Sequence, residues 1–136
     1  MRTAVALAAL LALSACATTG GGVDCGPDSE ARGTAELYFG RNIGDRPGVS
    51  DADWHAFVDA EVTPRFPDGL TVLDAAGQWR SRDTGTIGRE ASKVLVIVLP
   101  GADDDRARLN AVREAYKTRF RQQAVMLVER RACVAF

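Results

Sequence analysis

The sequence predicts an α+β domain, a four-stranded antiparallel sheet carrying two helices on one face. Three observations carry that expectation. Apolar residues recur with strand and then helix periodicity in the order β-α-β-β-α-β. Ser and Asp residues open the helical stretches, and Gly and Pro mark the connections between elements. One stretch, Val94 to Leu99, is apolar throughout and mostly β-branched, as expected of a central strand.

Thr34 to Arg41 alternates, with Leu37 and Phe39 on one side and Glu36 and Tyr38 on the other, which is the period of a strand. Asn42 to Val49 contains Gly44, Pro47 and Gly48 and reads as a loop. Ser50 then caps a helix, with Asp51 and Asp53 at its positive end and Asp53 in the capping-box position. Trp54, Phe57, Val58 and Val62 form its apolar stripe, with Glu61 at the edge. Thr63-Pro64 ends it, because the residue before proline is pushed out of helical conformation.

Leu70 to Arg80 reads as a second strand, in which Ala75-Ala76-Gly77 suggests a bulge or tight bend. Ser81 to Gly88 is a turn, and Glu90 to Leu99 is the third strand, stopped by Pro100-Gly101. Asp103, Asp104 and Asp105 open a second helix, whose buried stripe is Leu109, Val112, Tyr116 and Phe120. Ala124 to Val128 begins a last strand that continues towards Phe136. This order is the ferredoxin-like βαββαβ sandwich, with the first and third strands as the central pair.

The third strand has a further consequence. Leu95, Ile97 and Leu99 occupy one parity, and Val94, Val96 and Val98 the other. Helices cover one face of such a sheet, and a solvated second face would alternate with polar residues. A cover is therefore expected for the open face. A second copy forming a homodimer, the N-terminal tail and a ligand are the three alternatives, with the homodimer first.

Glu36-Leu37-Tyr38-Phe39-Gly40 followed by Phe66-Pro67-Asp68-Gly69-Leu70-Thr71 resembles the signature stretches of domain of unknown function 3574. The likeness extends through Gly77-Gln78-Trp79-Arg80 and Ser92-Lys93-Val94 to Cys133-Val134-Ala135-Phe136. The resemblance implies a small exported bacterial protein, often with a lipoprotein leader. It implies no activity and no catalytic residues.

The leader is legible in itself. Met1-Arg2-Thr3 is a short positive start, and Ala4 to Leu13 is an apolar core too short to span a bilayer. Leu13-Ser14-Ala15-Cys16 then resembles a lipobox, so residues 1–15 are expected to be a signal peptide and Cys16 to carry acyl chains. Ala15-Cys16-Ala17 also fits ordinary secretory cleavage, which would discard Cys16 and release a soluble protein. Residues 16–33, with Gly20-Gly21-Gly22, read as the lipidated cysteine and a flexible tether to a domain spanning 34–136. Ala17 in place of aspartate favours the outer membrane if the cell has one.

If Cys16 carries lipid, Cys25 and Cys133 remain as a pair in an oxidising compartment, and a disulfide between them is expected. Two unpaired thiols are the alternative. Two cysteines and one histidine cannot complete a tetrahedral metal site without carboxylates.

The 136 residues leave room for one domain after the leader, and 46% apolar with 26% charged residues describe an ordinary globular chain. Without Arg2, 16 basic residues face 18 acidic ones, which gives no electrostatic case for nucleic acid. Membrane contact is expected through the lipid alone.

Each candidate for chemistry has a plain rival. His55, the only histidine, must serve any Ser-His or Cys-His scheme, and a surface position explains it better. Asp103 to Asp105 lack the spacing of a calcium loop and suit a helix start. Arg106, Arg113 and Lys117 share one helix face, which a solvated surface explains before any polyanion does. Gly77, Gly85 and Gly88 lack the strand–turn–helix setting of a phosphate loop.

The best polar cluster lies at the end of the central hairpin. Trp79 and Arg80 close the second strand, and Arg89, Glu90, Ser92 and Lys93 open the third, with Tyr38 and Arg41 on the neighbouring strand. Such a set suits a pocket for a small anionic or aromatic ligand, and a lysine beside apolar strands can lose its proton and act as a base. Cross-strand salt bridging is the plain alternative. No metal or cofactor is expected. A non-catalytic envelope binding module is the leading functional class. A small-molecule enzyme on a dimeric ferredoxin-like barrel is the alternative, resting on fold analogy.

Overall fold

The structure, a computed structural model, describes residues 22–136 apart from Asp45 and Asp83. The strands of the main sheet are β1 (Glu30–Gly40), β4 (Thr71–Arg80), β5 (Ile87–Val98) and β6 (Met126–Val134). They lie in the order β4-β5-β1-β6, every neighbouring pair antiparallel, so β1 and β5 are the central pair. A short hairpin, β2 (Asn42–Ile43) with β3 (Arg46–Pro47), follows β1. Helix α1 (Asp51–Phe57) runs into a π-helical turn (Val58–Val62), and α2 (Asp105–Phe120) connects β5 to β6. The expected ferredoxin-like α+β sandwich is the fold.

Both helices pack on one face. Ala35, Leu37 and Phe39 of β1 and Leu95 and Ile97 of β5 share a core with Trp54, Phe57, Leu109, Val112 and Tyr116. Phe39 sits among the aromatic rings of that core, 5.1 Å from Trp54 and 4.7 Å from Tyr116 between centroids, both edge to face. The expected helical stripe of α2, Leu109 to Phe120, is buried throughout. Ser50 caps α1 as the sequence indicates, its hydroxyl accepting from the Asp53 N–H while the Asp53 carboxylate accepts from the Ser50 N–H.

Four local expectations are corrected. β1 starts at Glu30 rather than Thr34, because β6 extends far enough to pair Glu30 with Val134 and Ala31 with Cys133. The loop after β1 contains the β2–β3 hairpin. The first helix widens from Val58 onward, with the Thr63 N–H donating to Val58 O, and it stops where Pro64 has no N–H to continue. Finally, β4 has no bulge at Ala75-Ala76-Gly77. Its register against β5 is unbroken from Thr71↔Val96 to Arg80↔Ile87, with Gly77 paired opposite Glu90.

Cys25 and Cys133 are joined by a disulfide, with Cα atoms 5.5 Å apart and a separation of 108 in sequence. It fastens the segment before β1 to the outer strand β6. Cys133 has the parity of Leu127 and Glu129, so the staple sits on the helix side of the sheet. The described part of the tail leaves the other face open: Leu73 is 49% and Met126 54% exposed there.

Candidate functional site

The pairing register divides the expected hairpin cluster between two faces. Tyr38, paired with Val94, lies on the open face, as do Trp79 opposite Gly88, Glu90 opposite Gly77 and Ser92 opposite Gly40. Lys93, opposite Phe39 and Asp74, points to the helices, and Arg41 follows the same parity. Arg80 and Arg89 also have the helix-side parity, at the exposed end of the hairpin. The sheet brings the aromatic, carboxylate and hydroxyl groups to one side and the cations to the other.

Lys93 is only 7% exposed. Its ammonium lies 2.5 Å from Asp74 Oδ1 and 3.3 Å from Asp51 Oδ1. The hydrogen bond to Asp74 holds the Lys93 pKa above the ordinary lysine value, against the opposing effect of burial. A general-base role for Lys93 is therefore corrected, because its neighbours stabilise the charged form. Arg41 completes this group: Nη1 lies 3.1 Å from Asp51 and Nε donates to Val49 O at 2.9 Å. The hydrogen bond from Lys93, then the Arg41 charge, holds the Asp51 carboxyl below its usual range. This is a structural clamp between α1, β4 and β5.

On the open face the Tyr38 hydroxyl donates to Glu36 Oε2 at 2.5 Å, and Arg130 Nη2 reaches Glu36 Oε1 at 2.8 Å. The bond to the Glu36 carboxylate raises the Tyr38 pKa. These ionisable groups are paired with one another, and Tyr38 shares one row across the four strands with the apolar Leu73, Val94 and Met126.

A cleft of about 530 Å³ opens at one end of the sheet. It exists because β1 stops pairing at Gly40↔Ser92 and turns away, while the β4–β5 hairpin runs on to Ile87. The connection from α2 to β6 closes the other side, contributing Arg121, Gln122 and Gln123, and Asn42 lines the floor. From the expected cluster it takes Trp79 and Glu90 of the open face and, around the end of the sheet where β1 no longer pairs, Arg89 of the helix-side parity. Tyr38, Arg41, Arg80, Ser92 and Lys93 are not among its lining residues.

Close approaches set the geometry of this cleft. A Cβ at Gly88 would stand 3.1 Å from the Trp79 indole, so glycine lets the ring lie on β5 with 48% of the residue exposed. Glu90 folds over Gly40, where a Cβ would meet its carboxylate at 2.6 Å, and accepts from the Asn42 N–H at 3.0 Å. Gln122 Nε2 donates to Asn42 O at 2.5 Å and to Phe120 O at 3.2 Å, which fixes its amide against the end of β1. Beneath them the Tyr116 hydroxyl donates to Gly40 O at 2.8 Å, and burial pushes its pKa well up.

Sequence reasoning missed Asn42, Arg121 and Gln122. One signal pointed that way: a helix ends at Phe120 with arginine where glycine is usual.

The remaining candidates fall on structural roles. His55 is exposed on α1. Asp105 accepts from the Gly101 and Ala102 N–H groups and meets Arg108. Among the described residues no group of three or more His, Cys, Asp or Glu side chains is placed to hold a metal ion. Arg106 pairs with Glu129, Arg113 donates to Val125 O, and Lys117 pairs with Glu114. The signal peptide of residues 1–15 and Cys16 lie outside the described residues. Among the described residues, no helix is long and apolar enough to cross a membrane.

Fold and cleft together define a small ferredoxin-like domain with an aromatic, polar notch at one sheet end. The chain belongs to the family described as "Protein of unknown function (DUF3574)", which matches residues 34–136. No curated protein sequence matches it. Among solved structures it is similar to a phage SAM lyase in complex with S-methyl-5'-thioadenosine, with a TM-score of 0.62 at 16% identity, covering 83% of this chain and 94% of that one. The same description holds for a phage SAM lyase in the apo state, with a TM-score of 0.59 at 17% identity, covering 78% and 90%. At these identities the likeness is one of fold.

Proposed function

We propose that this protein is a non-catalytic binding module of the bacterial cell envelope, held at a membrane by acyl chains on Cys16. The observation that carries the reading is the state of its ionisable groups. Lys93, Asp51, Asp74 and Arg41 neutralise one another on the helix side, and Tyr38, Glu36 and Arg130 do so on the open face. A catalytic site needs an acid or base poised near neutral pH, and these pairings stabilise the ordinary charge states instead. What stays accessible is the end cleft, with one exposed indole and fixed amide and carboxylate groups, the furnishing of a recognition site.

The open face fits a second copy of the chain. Four strands at a spacing of about 4.8 Å, each roughly 30–40 Å long, present on the order of 600 Å² per copy, so a pair buries somewhat more than the roughly 1,000 Å² that a specific interface requires. Its apolar row from Leu73 to Met126 is continuous, and the Tyr38–Glu36–Arg130 group inside it is already satisfied. The anchor would confine such pairs to the membrane surface, in the outer membrane where the cell has one.

A second reading has one observation behind it: the fold is similar, over 83% of this chain, to that of a phage SAM lyase. One incubation separates the two. With S-adenosylmethionine, the purified protein is expected to release no S-methyl-5'-thioadenosine; its release would replace the binding reading with an enzymatic one. For the anchor, Cys16→Ser is expected to abolish fatty-acid labelling of the chain, and unchanged labelling would remove the lipid assignment.

A further inference from the structure

The geometry points to a planar aromatic monoanion as the ligand of the end cleft, its ring on Trp79 and its anionic group on Arg121 and Arg89. This inference rests on reading the cleft as a binding site and names the chemistry it selects. Three observations converge. First, the exposed Trp79 indole lies against Gly88 and lines a cleft of about 530 Å³, within the range of small-molecule pockets. Stacking on such a ring is sequestered from one side and tolerant of ring identity.

Second, the described residues of the lining carry one net positive charge. Arg89 and Arg121 stand against the single carboxylate of Glu90, whose Oε2 already accepts from the Asn42 N–H. Among the described residues neither Arg89 nor Arg121 has an ion-pair partner, a state they share with Arg80, Arg119 and Arg131, but these two line the cleft. Guanidinium groups match carboxylate and phosphate oxygens in a forked geometry, so a monoanion completes the cleft's charge.

Third, Arg121 is held in a costly conformation. It is the only non-glycine among the described residues with a positive φ, 53°, at the left-handed cap of α2. Glycine is the usual residue there, and an L side chain in that region costs stability. The fold accepts arginine at that point, and its side chain lines the cleft. Gln122 beside it spends its amide N–H groups on Asn42 O and Phe120 O, which leaves its carbonyl as an acceptor for a ligand hydroxyl or ring N–H.

The test is a titration of the purified protein with 2-naphthoate, its neutral isostere 2-naphthamide and the non-aromatic anion cyclohexanecarboxylate. It is followed by NMR at the Trp79 indole N–H, with the buried Trp54 indole as an internal control. Expected is saturable 2-naphthoate binding that shifts Trp79 and not Trp54, with each of the other two probes weaker by about tenfold or more. Arg121→Gly is expected to raise the unfolding midpoint while weakening 2-naphthoate by about tenfold, and Arg121→Lys to recover part of that loss. Equal binding of acid and amide, absence of saturation up to about 10 mM, or unchanged affinity in Arg121→Gly would each overturn the assignment. Turnover of S-adenosylmethionine is read separately, so a lyase result removes the non-catalytic reading without touching this one.

Discussion

The two faces of one sheet behave as different materials. On the helix side, Ala35, Leu37 and Phe39 have no solvent exposure, and Phe39 lies among Trp54, Phe57 and Tyr116. On the other side the outer strands remain open, with Leu73 of β4 and Met126 of β6 about half exposed, while Val94 of β5 between them is only 6% exposed. The sequence is apolar on both sides of β5, yet the helices cover only one of them. Hydrophobicity therefore marks two kinds of surface here, one that holds the domain together and one that we assign to a second copy.

The sharpest test of this contrast is truncation on each side. Phe39→Ala is expected to cost about 3–5 kcal/mol, because it empties the centre of a packed aromatic cluster. Leu73→Ala should cost less than about 1.5 kcal/mol, since half its surface is already in water. Urea unfolding of both variants checks this, and equal losses would break the distinction between the faces.

Next in size comes the staple on the helix side. Replacing Cys25 and Cys133 together by Ser is expected to lower stability by about 2–4 kcal/mol, with the long loop between them favouring the upper part of that range. Urea midpoints of wild type with and without reductant should reproduce the difference. A smaller effect on folding, with a large one on association, is expected from Met126→Lys. It should leave the unfolding midpoint within about 0.5 kcal/mol of wild type, as a surface change does. Sedimentation should then find the protein monomeric at concentrations where wild type pairs. A wild type that is itself monomeric at high concentration would leave the open face without its second copy.

The smallest effect belongs to the Lys93 clamp. The Asp51 carboxyl is held below its ordinary 3.8, so its contribution is present above that pH and is lost as pH falls through the lowered value. Lys93 is raised above 10.5, so its contribution is present below that pH and is lost as pH rises through the raised value. Lys93→Met keeps the buried stem and removes the charge. Because both carboxylate partners are mostly exposed, the change near neutral pH should stay under about 1 kcal/mol. Unfolding midpoints across pH should fall in wild type at both extremes, and the alkaline fall should be missing in the variant.

Much of the fold was legible because the sequence states it locally. The Ser50–Asp53 capping box, the Leu109–Phe120 stripe and the β-branched run of β5 each carry a short-range signal, and each took the expected form. The bulge read into Ala75-Ala76-Gly77 did not form, because small residues also suit an unbroken pairing in which Gly77 faces Glu90. Of the expected ligand cluster, Trp79, Arg89 and Glu90 meet in the cleft, while Lys93 and Arg41 turn to the helices. The alternation within β5 already separates Ser92 from Lys93. Grouping them together overlooked a period of two.

By itself the sequence determined the kinds and order of the four main strands and two helices, the stripe each helix buries and the pair of cysteines left to join. Those are properties of neighbours a few positions apart. Only the tertiary structure decided which distant side chains share a space. Trp79 meets Gly88 through the β4–β5 register, and Arg121 and Gln122 reach them because β1 ends early and the α2–β6 connection crosses the gap. No local period encodes that meeting. It depends on where one strand stops relative to another, and the packing of the whole sheet sets that.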